Sequence, residues 1–228
     1  MTRRFLFLVA CLIFSFAANA QEPYFCTKPG CTFFYQRTAW GKDKLEQTTG
    51  FSIDSVYSAA NGSRKVVYSV HLKKRGKKDM YGGETRLVGE ITASGDLIMD
   101  LGGTAAAFIK NMLSSANVSS SGDKAVLPVN MKPGDVLAPA TSVVTVTGVK
   151  YTVKVCERTV LREEEITVPA GTFKAVVVRE HKLEDGPLHH ANNWEDNWYV
   201  RGYGYVRHDK YDKNMTPESS EVLISVKN

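Results

Sequence analysis

The chain has 228 residues, with 29 basic and 24 acidic side chains, a net charge of +5 and a hydrophobic share of 43%. Charge this close to balance creates no field for a polyanion, which argues against a nucleic acid partner. The length fits one domain with a core large enough to need no metal or disulfide support.

In chain order, residues 1–20 read as a secretory signal peptide. Arg3 and Arg4 form the basic n-region, residues 5–17 the apolar h-region, and Ala18-Asn19-Ala20 a small-x-small cleavage site. Leu8-Val9-Ala10-Cys11 has the form of a lipoprotein box, but cleavage there leaves the apolar stretch 12–20 at the new N-terminus. Cleavage after Ala20 is therefore the expectation, followed by a single β-rich domain over residues 21–228 with a charge of about +3. No later run approaches the length of a membrane helix, so no transmembrane segment is expected in the mature chain.

Three cysteines remain. Cys26 and Cys31 enclose "TKPG", whose Pro29-Gly30 turn brings the ends within disulfide reach, leaving Cys156 free. The alternatives are a bridge from Cys156 to either of the others, or a metal held by all three; the spacing lacks the usual zinc pattern, and no metal or other cofactor is assigned.

Period-two alternation dominates the rest of the chain. Val66, Tyr68, Val70 and Leu72 share one strand face, as do Val149, Tyr151, Val153 and Val155, and Val222, Ile224 and Val226. Gly-containing turns separate these runs. One segment breaks the rhythm: Ala105, Phe108, Ile109, Met112, Leu113 and Ala116 recur at helical spacing behind Thr104, placed as an N-cap. The resulting class is mainly β: a curled antiparallel sheet or open β-barrel of about nine to ten strands, arranged as a meander around one amphipathic helix. Phe108, Ile109, Met112 and Leu113 serve in that scheme as a plug, or as a lid over an apolar cavity.

"VPAGTF", residues 168–173, reads as a hairpin corner, with Pro169 pre-setting φ and Gly171 taking a left-handed conformation. Together with "WYVRGYGYVRHDKYD" it resembles the exported β-rich proteins of the TapB-like family, common in the Bacteroidetes. The matching pieces are residues 168–173, Trp198-Tyr199 and residues 202–206, within roughly the last 70 residues. The resemblance implies a curved sheet similar to the half-barrel of lipoprotein-localisation carriers, and no activity or catalytic set.

Candidate chemistry is sparse. Neither a P-loop nor a nucleophile elbow occurs, and no catalytic residue or enzyme activity is assigned. Trp194, Trp198, Tyr199, Arg201 and Tyr203, joined by Phe108 and Met112, are the candidate ligand-binding set, with aromatic faces and a cation at a barrel mouth. His189-His190 with Glu195 and Asp196 is a possible metal cluster, although adjacent strand residues face opposite ways. "KKRGKK", residues 73–78, reads as a solvated hairpin tip or a lipid-surface patch, and Glu163 and Glu165 of "REEE" share a face without a cleft. Histidines 181, 189, 190 and 208 are the ones an enzyme reading would need. These features describe an exported, periplasmic envelope protein binding an apolar or amphipathic ligand, a lipid or lipoprotein segment, on a curved sheet. The alternatives are a structural or interaction role with an envelope partner and, for location, a lipid-anchored or extracellular protein.

Overall fold

A computed structural model describes residues 21–187 and 189–228; the signal-peptide reading of residues 1–20 lies outside the described residues. Fifteen strands and one helix occur in the order β1 (Thr32–Ala39), β2 (Leu45–Ser58), β3 (Arg64–Lys74), β4 (Lys78–Asp79), β5 (Thr85–Ile91), β6 (Leu97–Met99), α1 (Leu101–Met112), β7 (Val118–Gly122), β8 (Ala125–Leu127), β9 (Val136–Leu137), β10 (Ala140–Val146), β11 (Val149–Val168), β12 (Gly171–Gly186), β13 (His189–Val200), β14 (Gly204–Asp212) and β15 (Pro217–Lys227). All the strands join one antiparallel sheet in the order β7-β10-β11-β12-β13-β14-β15-β1-β2-β3-β5-β6-β8, with β4 and β9 paired onto β3 and β11. The sheet curls without closing. Most of the excess over the expected nine to ten strands comes from β4, β6, β8 and β9, which are two or three residues long, too short to show a period.

The meander expected from the turns is interrupted between β6 and β10, where the chain passes to the other edge as β7, returns beside β6 as β8 and passes back to β10, and its two ends are sewn together by β1 pairing β15, Thr32 opposite Lys227. Alternation then decides the faces. In β1, Phe33 and Tyr35 are buried while Phe34 and Gln36 face out; in β5, Leu87 and Ile91 are buried while Arg86 and Val88 face out. One core cluster joins Val66, Ile91 and Leu127 from one wall to Val160, Val178 and Leu223 from the other, so opposite walls meet and fill the inside.

The gap between edge strands is closed by side chains. Arg158, fully buried on β11, donates from Nη1 to Val126 O of β8 at 3.2 Å and to Ala138 O at 2.9 Å. Ala125, Ala140 and Val155 pack beneath with Met99 and Leu101. The helix lies across this seam against β5, β7 and β10. Gly102 permits the approach: a Cβ there would stand 2.8 Å from Ser142 Cβ. The plug expectation is thus corrected, since Gly102 is the helix's one buried residue and Met112 and Leu113 are exposed. Its cap is also corrected: Asp100, not Thr104, accepts from Gly103 N at 2.7 Å, because a carboxylate three residues ahead satisfies a free N–H one turn earlier.

The 168–173 segment is the hairpin corner that its turn residues imply: Val168 pairs Gly171 and the tip reaches β15 through Ala170 N and Leu223 O at 3.2 Å. Among the described residues no helix is long and apolar enough to cross a membrane.

Candidate functional site

The outer face of β15, β1, β2 and β3 carries a groove of about 370 Å³. Its origin is a missing side chain. Gly50 sits in mid-β2 between cross-strand neighbours Phe34 and His71, and a Cβ there would meet only His71 O, at 3.9 Å. A glycine inside a strand lowers strand stability and often marks where something approaches the backbone closely. Phe34 and Ile224 give the groove apolar surface, and Gln36, Thr48, His71 and Lys73 line its polar part. The Lys227 ammonium lies 5.2 Å over the Phe34 ring, while His71 Nε2 is 2.8 Å from Asp79 Oδ1. An apolar wall beside cations is the chemistry of an amphipathic site.

The inner face at the opposite parity holds an ion network. Glu180 of β12 and Glu195 of β13 are directly opposed and both are buried. Arg158 Nε donates to Glu180 Oε2 at 3.0 Å, and Lys182 lies 3.8 Å from Glu195 and 3.0 Å from Glu184. Glu184 also accepts from Tyr151 OH at 2.7 Å and lies 2.9 Å from His189 Nε2. Farther along, Glu221 takes Arg37 Nη2 at 3.0 Å and Thr49 Oγ1 at 2.8 Å.

Burial, then Glu195, raises the Glu180 carboxyl above its ordinary value, against the pull of Arg158. For Glu195 burial acts in the same direction, but Lys182, His208 and Arg37 outweigh it and hold it below. Burial keeps the His208 imidazole low. For Glu184 burial is again the largest influence, but Lys182, Tyr151 and His189 together bring it to about 2. Carboxylates pushed apart in this way resemble an acid–base pair. Glu180 and Glu195, however, line neither the outer groove nor the cleft bordered by Cys26 and Cys31. They act as buried cross-strand ties.

The aromatic set expected at a mouth is dispersed. Trp198 and Tyr199 are neighbours on β13 and therefore face opposite ways. Trp198 faces out but is covered: its Nε1 donates to Glu164 Oε1 at 2.6 Å, and the Arg207 guanidinium stacks at 4.8 Å. Tyr199 is buried in the core. Arg201 is tied to Glu22 O at 2.9 Å and Val129 O at 2.7 Å, and lies over Tyr24. Tyr203 packs edge-on against Phe33 and Phe173. Trp194 stacks on His181 at 4.5 Å. Phe108 lies against Tyr81 at 5.2 Å, and Met112 is exposed beyond it. These residues form no common pocket.

The histidine pair separates likewise: His189 goes to Glu184, His190 to Asp185 at 2.6 Å, while Asp196 grips Arg179 on the outer face. In "REEE", Arg162 holds Glu164 through two bonds of 2.9 Å and Glu163 reaches Lys174 at 3.3 Å. Cys26 and Cys31, both buried, border a second cleft of about 220 Å³ with Phe33, Tyr203 and Asn228. Both are free thiols here, and Cys31 Sγ donates to Asn228 Oδ1 at 3.1 Å. Burial, with the neighbouring Cys31, pushes the Cys26 thiol up to about 11, against the pull of the Lys28 backbone.

Fold and surface together define a curled, unclosed antiparallel β-sheet protein with a packed inner face and a grooved outer one. Matched over residues 30–223, the chain belongs to the DUF3108-like family. Two solved structures share the fold. A protein of Bacteroides fragilis, predicted to be exported and described as having a YmcC-like fold, is 21% identical at a TM-score of 0.72, covering 91% of this chain and 100% of that one. A predicted lipoprotein of Parabacteroides distasonis is 18% identical at a TM-score of 0.72, covering 90% and 99%. The hypothetical lipoprotein YmcC of Escherichia coli is 7% identical over 87% of this chain and 85% of that one, and its TM-score of 0.33 is too low to bear on the fold. No curated protein matches the chain.

Proposed function

We propose that the protein is an exported, non-catalytic binding protein of the bacterial periplasm, and that the outer groove over Gly50 takes the acyl chain of a lipid or of a lipoprotein segment. The observation that carries this reading is the open space above a mid-strand glycine, walled by Phe34 and Ile224 and edged by His71 and Lys73. The volume lies at the small end of ligand sites, enough for part of a chain while its head stays in solvent. Export is supported by the signal-peptide reading and by the two neighbours described as exported and as a lipoprotein. The filled inner face supports a site on the outside of the curled sheet over the concave one that the sequence pattern suggests.

Titration with a fluorescent long-chain fatty acid, alongside a diacylated peptide, tests the reading. The protein is expected to bind at least one of the two, and Gly50→Val to weaken that binding at least tenfold without loss of fold. Stronger binding of the acylated peptide identifies a lipoprotein segment, and stronger binding of the free acid a lipid. Binding that Gly50→Val leaves unchanged, or no binding of either probe, refutes it. A second reading, an interaction protein with an envelope partner, is favoured by the exposed Met112, Leu113 and Tyr81 at the helix end. Cross-linking in intact cells from a photoreactive group at position 112 tests it: a specific adduct supports this reading, and its absence removes it.

A further inference from the structure

Cys156, Glu157 and His181 offer one sulfur, one oxygen and one nitrogen, all within 4.8 Å of one another, on a part of the sheet separate from both clefts. On a regular strand this grouping cannot form, since residues 156 and 157 would face opposite ways. It exists because β11 bulges between Cys156 and Thr159, and Glu157 takes a left-handed backbone with φ 49°. The bulge turns the Glu157 carboxylate back beside Cys156, whose cross-strand partner is His181. A non-glycine residue held in this region costs of order 1–3 kcal/mol and persists only where the surroundings enforce it. Part of the reason for the bulge is Arg158, which it aims inward to Glu180. The orientation of the outer trio is a separate consequence.

The imidazole is held on every side. Trp194 stacks on it at 4.5 Å with planes 8° apart, fixing the ring plane. Nε2 lies 2.7 Å from Asn192 Oδ1, so Nε2 carries a proton and donates it. Nδ1 points at Glu157 Oε1, 3.1 Å away. In the neutral imidazole that leaves a nitrogen lone pair facing a carboxylate oxygen, a repulsive arrangement unless a cation lies between them or the ring carries a second proton. With a cysteine sulfur completing the group, we infer that the trio is a site for a borderline-soft divalent metal of the zinc class. Cys156 Sγ, Glu157 Oε1 and His181 Nδ1 are its protein ligands and solvent takes the fourth position. The hydrogen bond from Nε2 to Asn192 is the outer partner that metal-bound histidines ordinarily have. Binding releases the Cys156 thiol proton. Glu157 is the exposed member, leaving an approach from solvent.

The test is a cobalt titration of the reduced, chelator-treated protein. One equivalent is expected to bring up a near-ultraviolet thiolate-to-metal absorption band that zinc then removes. Cys156→Ser abolishes the band, whereas Cys26→Ser and Cys31→Ser keep it. His181→Gln weakens binding at least tenfold, and Asn192→Ala, which removes no ligand, weakens it about 10- to 100-fold. Unchanged thermal melts of these outer-face variants separate loss of metal from loss of fold. A band that persists in Cys156→Ser overturns the assignment. So does absence of a band in the wild type.

Discussion

Replacing Arg158 by methionine tests whether the seam of the curled sheet is held by charge. Arg158 is fully buried and makes three contacts: to Glu180 at 3.0 Å, Ala138 O at 2.9 Å and Val126 O at 3.2 Å. Methionine fills much of the volume but leaves a buried carboxylate and two carbonyls without their donor. Breaking a buried pair from one side costs about 3–5 kcal/mol, a large part of the roughly 5–15 kcal/mol that stabilises a typical domain. At about 2–4 °C per kcal/mol for a chain of this size, the melting temperature falls by about 6–20 °C at pH 8.

The pH dependence distinguishes this cause from poor packing. Glu180 already binds its proton more tightly when folded than its ordinary 4.5 implies, because of burial and Glu195. A carboxyl raised in the folded state contributes most below 4.5 and progressively less as pH rises through its folded value. Arg158 is the group that opposes the rise. Without it the folded value climbs further, so the deficit of the variant is largest at pH 8 and shrinks toward pH 5. Chemical denaturation at both pH values is the assay, and the double variant Arg158→Met with Glu180→Leu recovers most of the loss. A deficit below about 1 kcal/mol at pH 8, or one equal at both pH values, refutes the reasoning.

Glu184 works in the opposite sense: held near 2 when folded against an ordinary 4.5, it stabilises above 4.5, and that contribution is lost as pH falls toward 2. Glu184→Gln therefore flattens the acid limb of the stability profile, which melts between pH 2 and 5 will reveal. Oxidation is expected to join Cys26 and Cys31 into one intramolecular bridge, seen as loss of the two thiol hydrogens in an intact mass, with a gain of about 2 kcal/mol from closing so short a loop. Gly50→Val, besides blocking the groove, raises stability by about 0.5–1 kcal/mol, since the valine gains strand propensity and its Cβ stands no nearer than 3.9 Å to His71 O; a lowered melting temperature contradicts this.

Period-two patterns in β3, β11 and β15 make the β class legible, and the helical spacing around Phe108 finds α1. Alternation cannot tell which wall a helix stripe meets, so the sequence pattern suggests a plug where the fold has a strap over the seam. Trp198, Tyr199 and Arg201 stand out because aromatics beside cations suit ligands, yet each is consumed by neighbours, some of them as distant in sequence as Glu164 and Glu22. The ion network leaves a readable trace. Glu180, Lys182 and Glu184 alternate along β12 directly after the buried run 175–178, so charged residues at the wall of the core need partners. Gly50 is equally visible as a lone glycine in a strand pattern, a signal of close backbone approach absent from the candidate set that the aromatics define. The metal trio is beyond reach of the sequence, since it depends on a bulge that no local pattern announces.

The pairing of β1 with β15 has a bearing on how the molecule comes into being. First and last strands lie side by side in the middle of the sheet, not at its rim. A chain emerging N-terminus first holds β1 on β2 alone until β15 has been made. Half of the ladder on either side of that junction can form early, but the two halves stay hinged apart until the last strand arrives. Such long-range closure makes assembly slow. Until β15 arrives, the two halves are joined only through the chain that links them, and neither has its full set of neighbours.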